Sequence, residues 1–249
     1  MKKVCFFTIA DDNNLKYYEM MKNSLVKFHP DIPLILEGPK QLSLVSMADQ
    51  AIFYRATPFF ARNLLNEYET VIKLDSDQII CGPLNHLWED ADYDLGCVLN
   101  GNPTEPPYTV WDVLPQEYMN CGLVAMRNKD LADHWWKLCE SPHFNNYQFR
   151  EQDLMNIIYH YGNFKVKCFD YSDNWHGLVS KGWWQYIKLE HNEGSIPRMV
   201  LPKDDRIWPM DKDKTIRVIH WAGGNEPNKM NFDIRFQKEV ADHLKWLTK

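Results

Sequence analysis

The stretch Val71-Ile72-Lys73-Leu74-Asp75-Ser76-Asp77 decides how this sequence is interpreted, because an apolar strand runs directly into two carboxylates. In an extended chain alternate side chains share a face and lie about 6–7 Å apart, so Asp75 and Asp77 can approach one divalent cation together. Oxygen ligands of this type select hard cations such as Mn²⁺ or Mg²⁺. Turn chemistry is the alternative at this point, since Asp and Ser commonly follow strands as turn residues.

Around this stretch, segments typical of strands and helices alternate, most clearly in the first half of the chain. The sequence predicts strands at residues 4–10, 33–36, 70–74, 95–99, 123–126, 165–169 and 217–221. It predicts helices at residues 15–28, 59–68, 130–140, 151–161 and 232–247. This alternation favours an α/β fold with a mainly parallel central sheet and helices on both faces. Two long segments, 101–117 and 173–214, are predicted to be irregular, and loops of that length are usually functional or disordered.

The composition excludes several classes of protein. With 28 Lys+Arg against 34 Asp+Glu, the formal net charge of -6 argues against a nucleic-acid binder that displaces counterions. No apolar run approaches the roughly 20 residues that span a bilayer, so we expect no transmembrane segment. The apolar start ends at Asp11-Asp12-Asn13-Asn14 without a small-residue cleavage site, which indicates a first strand and not a signal peptide. The scattered cysteines, without any Cys-x-x-Cys, predict a reduced, cytoplasmic protein.

A further polar group follows another apolar strand. His220 comes directly after Ile216-Arg217-Val218-Ile219 and is followed by Trp221-Ala222-Gly223-Gly224. An imidazole beside two carboxylates completes an Asp, Asp, His ligand set, which suits Mn²⁺ better than Ca²⁺. Gly223 and Gly224 allow the backbone to approach a phosphate closely. A structural histidine at a strand end is the alternative interpretation.

Two further polar segments and one lysine are candidates for a functional site. Asn120-Cys121-Gly122 precedes an apolar run, where its small residues either present the Asn120 amide to a polyhydroxylated ligand or form an ordinary strand-entry turn. Glu151-Gln152-Asp153 opens a helix, where acidic residues are also expected from the helix dipole alone. Lys73 has the same strand parity as the two aspartates, so it either tunes their charge or points to solvent.

In this order, these segments resemble the retaining glycosyltransferases of family eight, which have the GT-A fold and include the glycogenins and the bacterial lipooligosaccharide galactosyltransferases. The resemblance covers most of the chain. It implies a single GT-A nucleotide-diphospho-sugar transferase domain over residues 1–249, with a nucleotide-binding half at 1–100 and an acceptor-binding half at 101–249. It also implies transfer of a sugar from a nucleotide-diphosphate donor, a UDP-sugar, to a hydroxyl of a glycan or other acceptor, with retention.

The resemblance assigns roles to individual residues. Asp75, Asp77 and His220 match the family's metal ligands, and the implied cofactor is Mn²⁺ or Mg²⁺. Glu151-Gln152-Asp153 matches the catalytic segment, in which the first acid holds a sugar hydroxyl and the glutamine faces the anomeric carbon; Glu151 stands where the family has Asp. The residues implied to bind the donor are Thr8, Ala10, Asp11, Asn13, Arg55, Lys73, Asp75, Ser76, Asp77, Asn120, Gly122, Gly223 and Lys229. Lys229 takes the place of the family's lysine, because Glu226 stands at that position.

Tryptophans are the candidate residues for binding the acceptor. Four of the ten tryptophans, Trp175, Trp183, Trp184 and Trp208, lie in the long segment after the Glu151 helix, where they either stack on acceptor sugars or pack the loop onto the core.

A sugar-phosphate nucleotidyltransferase is set aside, because it needs a Gly-rich, basic loop where Asp11-Asp12-Asn13-Asn14 stands. A catalytically inactive protein of the same fold that binds a nucleotide sugar or a carbohydrate is the alternative function.

Overall fold

The computed structural model describes residues 1–38, 52–89, 92–100, 113–176, 186–201, 213–221, 232 and 236–249. The chain forms two compact units. The first unit comprises Met1–Leu15, Ile32–Ser76 and Asn85–Phe169. The second comprises Lys16–Asp31, Asp77–Leu84 and Asp170–Lys249. Among the described residues, no helix combines the length and the apolar character that crossing a bilayer requires.

Strands and helices are numbered here in chain order. The strands are β1 Lys2–Ile9, β2 Leu34–Glu37, β3 Tyr68–Leu74, β4 Gln78–Ile80, β5 Leu95–Leu99, β6 Met119–Met126, β7 Val166–Phe169, β8 Trp175–His176, β9 Lys188–Glu190, β10 Arg198–Leu201, β11 Lys214–Ile216 and β12 Val218–His220. The helices are α1 Leu15–Phe28, α2 Ile52–Leu64, α3 His86–Glu89, α4 Lys129–Glu140, α5 Glu151–Tyr161 and α6 Lys238–Leu247.

The first unit is built on a six-stranded sheet in the order β2-β1-β3-β6-β5-β7. The pairs β1/β2, β1/β3 and β5/β7 are parallel, and β6 runs antiparallel to both of its neighbours. The predicted α/β architecture with a mainly parallel sheet is therefore confirmed. The pairing of β5 with β6 is irregular, because Cys97 pairs with Val124 but the next residue, Val98, pairs with Asn120.

The two faces of this sheet are covered by different helices. Phe7 and Val71 belong to the core cluster that also contains Trp135 of α4 and Leu154 of α5, and α2 packs into the same cluster. Neighbouring strand residues point to opposite faces. Accordingly, Phe6 is fully buried and its ring meets the edge of Trp88 of α3 at a centroid distance of 5.9 Å. Helices thus lie on both faces, as the sequence predicts.

The second unit contains two small sheets, in the orders β4-β12-β8 and β11-β10-β9. In the first of these, β12 is antiparallel to β4 and parallel to β8, so His220 lies opposite Gln78 on one side. Helix α1 is tied to β4 because the Ser24 hydroxyl accepts a hydrogen bond from Ile80 N at 2.9 Å. The register of β12 fixes where His220 stands within this unit.

Several predicted boundaries differ from the structure. The helix predicted at 59–68 is α2, which begins at Ile52 with Pro58 inside it and ends at Leu64. The Asn66 side chain donates to Arg62 O and Asn63 O, which ends the helix early, and Tyr68 already belongs to β3. The segment predicted to be irregular at 173–214 contains β8, β9 and β10, which have only two to four residues each and carry too few positions for a readable period. The last helix begins at Lys238, not at 232.

Candidate active site

The acidic segment after β3 forms a turn. β3 ends at Leu74, and Ser76 and Asp77 are turn residues, so the extended geometry predicted for Asp75 and Asp77 is wrong. Asp75 N donates to Gly122 O at 2.9 Å, and Trp221 N donates to Asp77 O at 3.2 Å. The turn interpretation and the ligand interpretation are therefore not alternatives, because the turn is what brings the carboxylates together.

Asp75, Asp77 and His220 form a cluster with the composition of a metal site. One ligand atom from each of them lies within 4.8 Å of the other two. His220 is 2% exposed, and its Nε2 lies 3.4 Å from Asp77 Oδ1. Asp75 and Asp77 are half-buried, which leaves their oxygens accessible. Two carboxylate oxygens and one imidazole nitrogen fit Mn²⁺ or Mg²⁺.

Lys73 is buried beside this turn. Its side chain is 5% exposed, and its Nζ donates to Asp75 Oδ1 and, at 2.7 Å, to Cys121 O. Burial alone would lower the pKa of Lys73, but the charge of Asp75 and the hydrogen bond to it outweigh burial and raise the pKa. Lys73 is therefore a fixed cation inside the site, and the alternative of a solvent-directed lysine is wrong.

Glu151, the first residue of α5, is a buried carboxyl group close to Lys73. The residue is 8% exposed, its Oε1 lies 3.7 Å from Cys121 Sγ, and its Oε2 has no hydrogen-bond partner among the described residues. Burial raises the pKa of Glu151 to about 8, although the nearby charge of Lys73 opposes the rise. At neutral pH this carboxyl group is therefore mainly protonated.

The side-chain amides of Asn120 and Gln152 are bonded to each other. Gln152 Oε1 accepts from Asn120 Nδ2 at 3.2 Å and from Cys121 N at 2.9 Å. Asn120 Oδ1 accepts from Gly122 N at 2.7 Å. Asn120 lies inside β6 at the irregular step opposite Val98, so it is part of a bulged strand and not of a strand-entry turn.

Asp153 follows Gln152 in the first turn of α5. It is fully buried, and its two oxygens accept hydrogen bonds from Phe149 N at 2.9 Å and from the Tyr118 hydroxyl at 2.5 Å. Asn156 joins α5 to β6 through Met119 N at 2.7 Å and Met119 O at 2.9 Å. Sequence reasoning assigns no role to Tyr118, because a tyrosine just before a strand carries no signal of its own.

Solved structures that resemble this protein include several glycosyltransferases, whereas no protein-family model and no curated protein matches its sequence. The galactosyltransferase LgtC, in complex with donor and acceptor sugar analogues, aligns with 98% of this chain and 94% of its own, with a TM-score of 0.61 and 16% identity. The chain has the GT-A glycosyltransferase fold. The glycosyltransferase GlyE of Streptococcus pneumoniae TIGR4 aligns with 98% of this chain and 63% of its own, with a TM-score of 0.56 and 13% identity. At such identities the likeness establishes the GT-A fold alone.

The residues at the end of β1 and in the turn after it, which are predicted to bind the donor, differ in how far they are buried and in their hydrogen bonds. Thr8 is fully buried, and its hydroxyl has no partner among the described residues. Ala10 is also buried. The half-buried Asp11 accepts from Asn14 N at 3.1 Å and, at 3.5 Å, from the exposed side chain of Asn13. The segment after β1 is therefore a turn built around the Asp11 carboxylate.

Of the other residues predicted to bind the donor or the acceptor, the structure describes Arg55 and Trp175, and five lie outside the described residues. The Arg55 guanidinium lies 4.3 Å from the centroid of Phe144, and its Nε has no partner within the described part of the chain. Trp175 is 2% exposed in β8, which favours the packing alternative for this tryptophan. The residues that lie outside the described ones are Trp183, Trp184, Trp208, Gly223 and Lys229.

The raised pKa of Glu151 predicts a pH-dependent stability. The group titrates at 4.5 in its ordinary state and at about 8 here. Between these values the folded chain keeps a proton that the unfolded chain loses. The free energy of unfolding therefore falls as pH rises through this window, by up to about 1.4 kcal/mol per pH unit.

Glu151→Gln removes this titration, so the stability of the variant relative to the parent should increase from about pH 5 to about pH 8. Urea denaturation of metal-free protein at several pH values measures the difference. Glu67→Gln, which changes an exposed carboxylate in the same unit, should show no such trend. A parallel pH profile for Glu151→Gln and the parent would contradict the prediction.

Proposed function

We propose that this protein is a metal-dependent glycosyltransferase of family eight that moves a sugar from a UDP-sugar donor to a hydroxyl of a glycan or other acceptor. The observation that carries the proposal is the cluster of Asp75, Asp77 and His220 in a GT-A fold. A protein with a net charge of -6 must overcome repulsion to bind a diphosphate. A divalent cation bound at this cluster would reduce that repulsion.

Asp75, Asp77 and His220 would hold Mn²⁺ or Mg²⁺. Bound there, the cation would neutralise the donor diphosphate and act as a Lewis acid toward the departing nucleotide. Lys73 holds Asp75 in place through its hydrogen bond, and the backbone of Gly122 holds the same residue from β6. Asp75 is thus held by protein contacts before any cation arrives, which lowers the ordering cost of binding for this ligand.

The donor sugar would lie against β6 and the first turn of α5. Glu151 has a buried, mainly protonated carboxyl group whose Oε2 has no hydrogen-bond partner among the described residues, and we assign it to a hydroxyl of the donor sugar. Asn120 and Gly122 would lie along the same sugar. Gln152 would face the anomeric carbon, while Asp153, whose oxygens are both bonded within the protein, has a positioning role.

Retention is assigned to attack on the front face of the sugar. The neutral amide of Gln152 is a poor nucleophile, and its oxygen already accepts two hydrogen bonds. The acceptor oxygen would form its bond to the anomeric carbon while the bond to the diphosphate oxygen breaks. The leaving phosphate oxygen would take the acceptor's proton, so no protein base is needed.

The remaining contacts are assigned by position. Thr8, Ala10, Asp11 and Asn13 would hold the base and ribose at the end of β1, within the nucleotide-binding half at 1–100. The residues assigned to the rest of the donor are Arg55, Lys73, Ser76, Gly223 and Lys229. Trp183, Trp184 and Trp208 would stack on the acceptor within the half at 101–249.

The experiment that tests this function is a thermal-shift screen with a panel of nucleotide sugars in the presence of Mn²⁺. We expect stabilisation by one or more UDP-sugars that disappears when a chelator is added. Donors that stabilise the protein are then tested for transfer and for slow hydrolysis. Binding without hydrolysis or transfer would identify an inactive nucleotide-sugar-binding protein, and no stabilisation by any nucleotide sugar would overturn the proposal.

A further inference from the structure

Lys73 forms an ion pair with Asp75, which we assign to the cation. Lys73 lies one residue before the end of β3, and its Nζ donates a hydrogen bond to Asp75 Oδ1. The lysine side chain is buried, whereas that of Asp75 is half-buried. A carboxylate assigned to a divalent cation is therefore already bonded to a buried positive charge of the protein.

Strand β6 keeps this positive charge in place. Lys73 Nζ also donates to Cys121 O at 2.7 Å, and the backbone of Lys73 pairs with Val124 of the same strand. A buried ammonium group that left these partners would lose its hydrogen bonds without reaching water. A cation that binds Asp75 therefore meets a positive charge that stays beside the carboxylate.

Lys73 acts on a free divalent cation in two opposite ways. Its hydrogen bond orders the Asp75 side chain, which favours binding. Its charge repels the cation and offsets one of the two negative charges that Asp75 and Asp77 bring to the cluster. The repulsion is the larger effect, because the cation is doubly charged and the buried ammonium group is poorly screened, whereas the ordering concerns one short side chain.

A cation that is already bound to a diphosphate meets a different balance of charge at Lys73. The diphosphate of a nucleotide sugar carries enough negative charge to neutralise a divalent cation. The complex as a whole is then not repelled by the ammonium group, while the ordered Asp75 carboxylate still favours binding. Lys73 therefore weakens the binding of the free cation far more than the binding of the cation with its diphosphate.

We propose that Lys73 makes cation binding depend on the nucleotide, so that the cluster binds a free cation weakly and a cation with a diphosphate tightly. The inference rests on the proposed function, which supplies the diphosphate. The cation and the nucleotide are then coupled ligands, and each raises the affinity for the other by the same factor. Lys73 is the residue that makes this factor large.

Lys73→Gln tests the proposal, because glutamine keeps a hydrogen-bond donor and removes the charge. We expect the affinity for Mn²⁺ alone to rise about tenfold, since the repulsion is gone. The affinity for Mn²⁺ in the presence of UDP should change less than about threefold, so the enhancement by UDP becomes smaller. Lys73→Met also removes the charge and should change both affinities in the same direction, which provides a second variant if Lys73→Gln does not fold.

Electron paramagnetic resonance of free Mn²⁺ measures both affinities without any need for transfer. Metal-free protein is titrated with Mn²⁺ alone and with Mn²⁺ plus UDP, and the binding of Mn²⁺ to UDP is measured in the same buffer without protein. Lys165→Met is the matched control, because it removes an exposed lysine of the same unit. It should leave both affinities unchanged.

Unchanged or weaker binding of Mn²⁺ alone by folded Lys73→Gln and Lys73→Met proteins would overturn the proposal and leave the metal-dependent function standing. If both variants bind free Mn²⁺ more tightly but the parent protein transfers no sugar from any donor, the proposed function fails and the role of Lys73 stands. A parent protein that binds no Mn²⁺, either alone or with UDP, would contradict both.

Discussion

Asp77→Asn is expected to weaken Mn²⁺ binding by more than about 100-fold and to reduce sugar transfer by at least about the same factor. The substitution removes a negative charge from the cluster and leaves His220 Nε2 without the carboxylate oxygen that lies 3.4 Å away. An asparagine of the same size keeps the turn, so the loss reports on the ligand and not on packing. Electron paramagnetic resonance of free Mn²⁺, titrated with metal-free protein, measures the affinity directly.

Asp242→Asn serves as the control for the loss of charge. Asp242 lies on α6 in the same unit as Asp77 and pairs with Lys238 on an exposed surface. Its substitution should leave Mn²⁺ affinity and transfer unchanged. Full transfer by folded Asp77→Asn and Asp75→Ala proteins with a chelator present would rule out the metal-dependent function.

Lys73→Met is expected to lower the free energy of unfolding by about 3 kcal/mol, because it removes one partner of a buried ion pair. The substitution leaves Cys121 O without its donor and leaves the Asp75 charge near the Glu151 carboxyl. The loss stays at the lower end of the usual range because the Asp75 side chain is 35% exposed and can be hydrated. Urea denaturation monitored by tryptophan fluorescence gives the value.

Lys165→Met is the matched control, since Lys165 pairs with Asp92 in the same unit but both side chains are exposed. We expect no measurable change in its unfolding midpoint. Equal stability of Lys73→Met and Lys165→Met would show that the buried pair contributes nothing to the fold.

The longer strands and helices are predictable from the sequence because each of them covers enough residues to show a period. The bounds of α1, β5 and α5 agree with the predicted segments at 15–28, 95–99 and 151–161. The ligand cluster is predictable for a different reason, since its two carboxylates and its histidine each stand at the end of an apolar run in the sequence. Strands of two to four residues in the second unit provide no such pattern.

The environment of Lys73 could not be predicted. Its parity shows that it shares a face with Asp75, but whether that face is open depends on β6, which lies almost fifty residues further along the chain. The hydrogen bond from the Tyr118 hydroxyl to Asp153 could not be predicted for the same reason, because it joins two residues that are 35 positions apart in sequence. Donor and acceptor roles in such a contact can be assigned only when the positions of all the neighbouring groups are known.

The irregular step in β6 has a consequence for how this protein can vary. Where the strand shifts register, the backbone of Cys121 serves both Lys73 and Gln152, and the backbone of Gly122 serves both Asp75 and Asn120. These contacts depend on where the main chain runs and only weakly on which side chains it carries. Gaining or losing a single residue at this step would therefore disconnect every one of those contacts at once.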